Sequence, residues 1–275
     1  MHDARFREGR GLDWPPAPVR QVTEMFLTAI DEAAPGLVQG LYLHGSLGFG
    51  EWYDGRSDID YVAVLSARPD DAAMDALRNV HTALAQEFPR PPFDGFHLLS
   101  DDLARSPAVC PDLPCTQGGY FHKEQRLDVH PVTWHELARH GVTIRGPELA
   151  DIRIWTDQRA LREYTHANLG DYWAPEVEQL RRFPEEAGKP DAVAWYVLGT
   201  SRLHHLLATD TLTSKDRAGR YAVDVFGDRW RLLLTDALAQ RATGELAGAV
   251  DPERLGPEVI EFSSMVVESG LAIPV

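Results

Sequence analysis

The sequence predicts an α+β fold in two parts, a mixed β-sheet with helices packed on it and then an all-helical bundle. Two observations carry this. Up to about residue 150, stretches with apolar residues three and four apart alternate with short apolar runs of strand type. Beyond residue 151 the strand-like runs stop, and only helix-type periodicity remains, broken by Gly, Pro, Thr or Asp. The expected domains are therefore residues 1–154 and 155–275, with no internal repeat or low-complexity tract.

The elements follow in order. Residues 18–36 read as a helix, because Val19, Val22, Phe26, Ile30 and Ala33 share a face and "APG" stops it. "LVQGLYLHGS" reads as a strand, "YDGRSD" as a turn and "DIDYVAVLS" as a second strand. A second helix fits residues 70–88, with Met74, Leu77, Val80, Leu84 and Phe88 on one side; after a proline break, "RPPFDGFHLLS" reads as a third strand. Helix, strand, strand, helix, strand implies helices layered on a sheet. Residues 106–119, rich in proline and small polar residues, read as an irregular loop. The stretch 126–149 then reads as a short extended segment, a short helix and the strand "VTIRG". Helices are expected at 157–183, 191–208, 214–226, 228–245 and 257–268.

Composition narrows the function. With 275 residues, 44% hydrophobic and 25% charged, the chain has material for a substantial core. A net charge of −15 argues against a non-specific nucleic-acid binder, which needs a basic surface, and suits a small cationic partner. Two cysteines, Cys110 and Cys115, do not make a disulfide scaffold. The segment "MHDARFREGRGLDW" lacks an apolar signal core and no run approaches ~18 apolar residues, so a cytoplasmic protein without a membrane segment is expected.

The chemistry concentrates in "LYLHGSLGFGEWYDGRSDIDYVAVL", residues 41–65. Asp58 and Asp60 stand one residue apart at the head of an apolar run, where a buried carboxylate costs several kcal/mol unless compensated. On a strand both would point the same way, so the pair could hold divalent cations. Upstream, Gly45 and Ser46 end an apolar strand, where amides and a hydroxyl can approach a phosphate. Asp94, opening the third strand, is the candidate for a third carboxylate, as general base or metal ligand. An antiparallel pairing would set it beside Asp58 and Asp60.

Gly-Ser followed, after eleven intervening residues, by Asp-Ile-Asp resembles the signature of the DNA polymerase β-like nucleotidyltransferase superfamily. The further order of a carboxylate opening the next strand, "GVTIRGPEL" and a helical domain is similar to bacterial aminoglycoside adenylyltransferases of the streptomycin/spectinomycin type. So is "VLGTSRLHHLLATDTLTSKDRAGRYAV" in the second half. The resemblance implies a nucleotidyltransferase-fold N-terminal domain and Mg²⁺-dependent transfer of AMP from ATP to a hydroxyl of a cationic antibiotic, with release of pyrophosphate. It implies that Asp58, Asp60 and Asp94 hold the metal and carry the chemistry. Gly45, Ser46 and Ser57 would lie at the phosphates or the metal, and Arg202 and Lys215 would reach the triphosphate from the helical domain. Lys215 also falls at an expected helix start after Thr213 and Ser214, where free amides favour an anion. For the acceptor it points to Asp191, Trp195 and Tyr120. A monomer is expected. Relatives commonly carry glutamate at the place of Asp94 and a polar residue at that of Trp195. They also have a tryptophan in the segment joining the domains, where this chain offers only Tyr120 and Phe121.

Two other readings stand beside this one: the same chemistry on a protein or another metabolite, and a non-catalytic, antitoxin-like module. The costly paired carboxylates speak against the last. Other motifs are set aside. In "WHELARH", His135 and His140 are five apart and fall on different helix faces, unlike a zinc-protease pair. Cys110, Cys115 and His122 lack a fourth zinc ligand. "HGSLGFGEW" lacks the Gly-Lys-Ser/Thr of a P-loop. His204 and His205 read as packing residues, and Trp134, Trp155, Trp173 and Trp230 as core.

Overall fold

The computed structural model describes residues 14–275, and the chain divides into two compact units, at Thr156 and Asp157. The N-terminal segment read above for a signal core lies, up to residue 13, outside the described residues.

The first unit runs α1 (Ala17–Ala33), β1 (Val38–Leu43), a single turn α2 (Gly45–Gly48), β2 (Ile59–Leu65), α3 (Asp71–Glu87), β3 (Phe93–Leu99), a turn α4 (Ser100–Leu103), β4 (Leu113–Gln117), β5 (Tyr120–Gln125), α5 (Pro131–His140) and β6 (Val142–Arg145). The strands form one mixed sheet in the order β5-β4-β3-β2-β1-β6. Strand alternation divides its two faces. Leu41, Leu43, Ile59, Tyr61, Ala63 and Leu65 pack with Val22, Phe26 and Ile30 of α1 and Leu77 and Leu84 of α3. Tyr42, Val62, Val64, Phe96 and Leu98 pack with Trp134 and Leu137 of α5. Arg145 grips Asp31 with two guanidinium hydrogen bonds, of 2.7 and 2.6 Å, tying β6 to α1.

Two expectations need correction. The β2–β3 pairing is parallel, with Asp60 opposite Asp94, because α3 carries the chain back across the sheet before β3 begins. Residues 106–119 are not an irregular loop throughout. Leu113–Gln117 is a strand between β3 and β5, and Tyr120–Gln125, unassigned from sequence, is the edge strand. Gly118 and Gly119 join them in a two-residue turn with φ of 58° and 81°, the left-handed pair that such a hairpin requires. Thr116 Oγ1 donates to the Phe93 carbonyl at 3.0 Å.

The second unit is helical: α6 (Gln158–Asn168), a π-turn (Leu169–Trp173), α7 (Ala174–Leu180), a turn α8 (Pro184–Ala187), α9 (Pro190–Thr209), α10 (Lys215–Phe226), α11 (Arg231–Thr243) and α12 (Pro252–Leu271). Its core gathers Val193, Val197, Ala222, Leu233, Leu234, Val259, Phe262 and Val266 around α9. The last helix begins five residues earlier than Pro257 suggested, because Pro252 takes the first position and Asp251 caps the Glu253 amide at 2.9 Å. Among the described residues no helix is long and apolar enough to cross a membrane.

The α1 face of the sheet contains a buried polar relay. His81 Nε2 lies 3.1 Å from His97 Nε2 and 3.3 Å from the Tyr61 hydroxyl, and His97 Nδ1 lies 3.1 Å from the Pro114 carbonyl. Burial holds both rings neutral, His97 down to about 4 and His81 well below the ordinary value. Below the unfolded value of 6.5 the unfolded chain takes up protons that the folded chain refuses, so this stabilisation is lost as pH falls from there towards about 4. His97→Gln should therefore gain on wild type as pH falls from 6.5, by up to about 1.4 kcal/mol per pH unit. Urea unfolding midpoints of the two proteins check this; a difference independent of pH would contradict it.

Candidate active site

Three strand ends meet at one corner of the first unit: the end of β1 and the starts of β2 and β3. The His44 amide extends the β1–β2 ladder by donating to the Asp60 carbonyl at 3.0 Å. The chain then turns at Gly45, whose φ of +57° favours glycine on conformational grounds. Close approach demands glycine as well, since a Cβ there would stand 1.9 Å from Asp60 Oδ2. Asp60 is half-buried on the same sheet face as Val62, Val64 and α5, and Asp58, just before the strand, is exposed.

Asp94 lies in register with Asp60 on the neighbouring strand. Its two carboxylate oxygens accept from the β4–β5 turn, Oδ2 from Gly118 N–H at 2.9 Å and Oδ1 from Gly119 N–H at 3.4 Å. The hairpin hidden in the expected loop thus orients this side chain. Burial raises the Asp94 pKa, the two amides oppose the rise, and the charges of Asp58 and Asp128 add to it. The result is a carboxylate more basic than an exposed one.

Asp60 is pushed further, up to about 8, first by burial and then by the negative charge of Asp58, with His44 opposing. Burial would lower His44, but its hydrogen bond to Glu136 and the charges of Asp60 and Glu136 raise it above the ordinary value. Glu136 Oε2 lies 3.3 Å from His44 Nδ1 and accepts from Gly45 N–H at 3.3 Å. The Ser46 hydroxyl is buried with no hydrogen-bond partner among the described residues, a cost that an incoming acceptor such as a phosphate oxygen would relieve.

The other sequence candidates are placed as follows. The Ser57 hydroxyl accepts from Tyr53 N–H at 3.0 Å and so braces the 53–57 turn. Tyr120 follows the glycine turn and is 75% exposed. In the second unit, Lys215 opens α10 after the Ser214 cap, with Nζ 5.0 Å from the centre of the Trp195 ring. Trp195 is 44% exposed and lies 5.5 Å from Trp173. Arg202 stands half-buried two turns further along α9 from Trp195, on the same side. Asp191 Oδ1 accepts from Gln240 Nε2 at 2.5 Å.

Sequence reasoning missed His44, Glu136 and the Gly118–Gly119 clamp. The glycine pair between two strand-like runs was a readable hairpin signal. Glu136 carried none, since "WHELARH" drew attention to its histidines.

Among the described residues no group of three or more His, Cys, Asp or Glu is arranged to hold a metal ion. The donor set present still fits a Mg²⁺ ion shared with a substrate, because Mg²⁺ commonly takes one or two carboxylates plus phosphate oxygens rather than an all-protein cage. Asp60 and Asp94, in register on adjacent strands and both raised in pKa by burial and by the charge of Asp58, supply two such carboxylates.

No protein-family model matches the chain, and no curated protein matches it. Its fold is similar to the crystal structure of spectinomycin adenyltransferase AAD(9) from Enterococcus faecialis with ATP and spectinomycin. The TM-score is 0.67 at 11% identity, over 90% of this chain and 98% of that one. At that identity the likeness establishes the fold alone, a mixed sheet with helices followed by a helical unit.

Above an unfolded value of 3.8 Asp60 must ionise in the unfolded chain but resists doing so in the fold until about 8, so it costs stability increasingly as pH rises through that window. Asp60→Asn should therefore be more stable than wild type in the absence of metal, with the larger gain at pH 8 than at pH 5. Thermal melts in chelator check this; a gain of equal size at both pH values, or none, would contradict it.

Proposed function

We propose that this protein is a Mg²⁺-dependent nucleotidyltransferase that moves AMP from ATP to a hydroxyl of a cationic, aminoglycoside-type acceptor and releases pyrophosphate. The observation that carries the reading is the pair Asp60 and Asp94, in register on adjacent strands, with Asp60 pressed against Gly45 beside an unpartnered Ser46 hydroxyl. Residues 1–154 would serve as the nucleotidyltransferase domain and 155–275 as its helical partner. The likeness of fold to an adenyltransferase crystallised with ATP and spectinomycin supports this choice. A cytoplasmic protein fits the need for ATP.

Asp94 accepts the proton of the acceptor hydroxyl, and its raised pKa makes it the better base. The freed oxygen then attacks the α-phosphorus. The bond from the α-phosphorus to the bridging oxygen breaks, and the electron pair leaves with pyrophosphate. Ser46 donates its hydroxyl hydrogen to a phosphate oxygen. Asp58 and Asp60, with Asp94 beside them, would hold a Mg²⁺ ion, which when bound would supply positive charge to neutralise the triphosphate. Ser57 keeps the loop before Asp58 in shape through its bond to the Tyr53 amide. Arg202 and Lys215 are the cations assigned to the triphosphate. Trp195, Asp191 and Tyr120 contribute to the acceptor. The net charge of −15 favours a cationic acceptor over an anionic one.

Pyrophosphate release from ATP and Mg²⁺ across a panel of aminoglycosides tests the reading; no release with any cationic amino sugar would contradict it. Asp60→Asn should abolish turnover. Asp94→Asn should lower turnover by about 10²–10⁴ with ATP affinity little changed if it acts as base, as rapid-quench kinetics would show. Lys215→Ala should weaken ATP binding measured by calorimetry, and acceptor affinity should fall with added salt, because the attraction is screened over ~8–10 Å.

A further inference from the structure

The Gly45–Ser46 turn is held from outside its own strand. Helix α5 docks against it at two places one helical turn apart. At the first, Glu136, only 5% exposed, uses Oε2 for both the Gly45 amide and His44 Nδ1, each at 3.3 Å. At the second, the His140 backbone carbonyl lies so near Gly48 that a Cβ there would stand 3.1 Å away. The His140 ring packs on Phe49 with centroids 4.7 Å apart. A buried carboxylate is costly, and this one is engaged by groups of the turn. We propose that Glu136 is a positioning residue for the nucleotide: it clamps the His44–Gly45 corner so that Gly45 stays against Asp60 and the Ser46 hydroxyl stays free for a phosphate oxygen. This rests on the nucleotidyltransferase reading. Glu136 touches no reacting atom. The Gly45 amide is spent on Glu136 rather than on phosphate, so within this corner phosphate recognition falls to Ser46.

The clamp is a matter of geometry, because a single carbonyl-type oxygen can accept both bonds. Glu136→Gln should keep it, and Glu136→Ala should lose it. Leu137→Val, at a buried neighbour on α5 that faces the core, controls for stability alone. Two readouts are needed: hydrogen exchange at the Gly45 amide in the protein without ligand, and ATP·Mg²⁺ affinity with kcat and KM. Glu136→Ala should speed Gly45 exchange by about tenfold and raise the Kd and KM for ATP by about tenfold, with a smaller fall in kcat. Glu136→Gln should stay within about threefold of wild type on both, and Leu137→Val should move neither. Wild-type exchange and affinity in Glu136→Ala, or the same losses in Leu137→Val, would overturn the proposal. If the wild type binds no ATP, the nucleotidyltransferase reading falls and the nucleotide role with it, while the exchange rates still decide the clamp.

Discussion

The Asp60 carboxylate occupies the space that any side chain on residue 45 would need, and much of the first unit can be understood as the means of keeping it there. Burial weakens the hydration of this half-buried carboxylate, and the negative charges of Asp58, Asp128 and Glu136 repel it. The fold supplies one partial compensation, a His44 held above its ordinary pKa by Glu136. That histidine is itself balanced by Glu136, so the corner keeps an excess of negative charge. Such a corner is unfavourable until something positive enters; on the proposed reading, a cation carried in with a triphosphate would answer that need and the Ser46 hydroxyl would answer the anion.

The same geometry explains the secondary structure around the corner. Glycine at 45 permits both the left-handed backbone and the contact with Asp60. The parallel β2–β3 pairing brings two strand starts side by side, so that Asp60 and Asp94 meet without either strand being distorted. The β4–β5 hairpin then has a specific task, to turn two glycine amides towards Asp94. In the second unit, order comes from core packing and from single buried polar ties. His204 lies 2.9 Å from the Tyr221 hydroxyl and 3.1 Å from Ser269 Oγ, and Asp236 accepts two amides ahead of α12.

Much of this was legible in the sequence, for identifiable reasons. Apolar spacing marked α1 and α3 because one face of each is buried, and near-continuous apolar runs marked β1 and β2 because both faces of the sheet are covered. The Asp-Ile-Asp stretch stood out because carboxylates are costly in an apolar run. What spacing could not convey were contacts made across long separations. Glu136 meets Gly45 only after α5 has folded back over the sheet, and nothing local to "WHELARH" encodes that meeting. The parallel pairing depended on the path of α3, which periodicity leaves open. Proline and small polar residues hid β4 because Pro114 and two glycines outweigh five residues of strand, although its neighbours supply the ladder.

The most direct test of this account is a carbon-detected NMR titration of the Asp60 carboxyl, without ligand and with Mg²⁺ and a non-hydrolysable ATP analogue. The account predicts titration raised towards about 8 in the free protein and a fall to or below the ordinary carboxylate range once Mg²⁺ and nucleotide are bound. An Asp60 that titrates near 3.8 in the free protein, or whose titration is unmoved by Mg²⁺ and nucleotide, would contradict it.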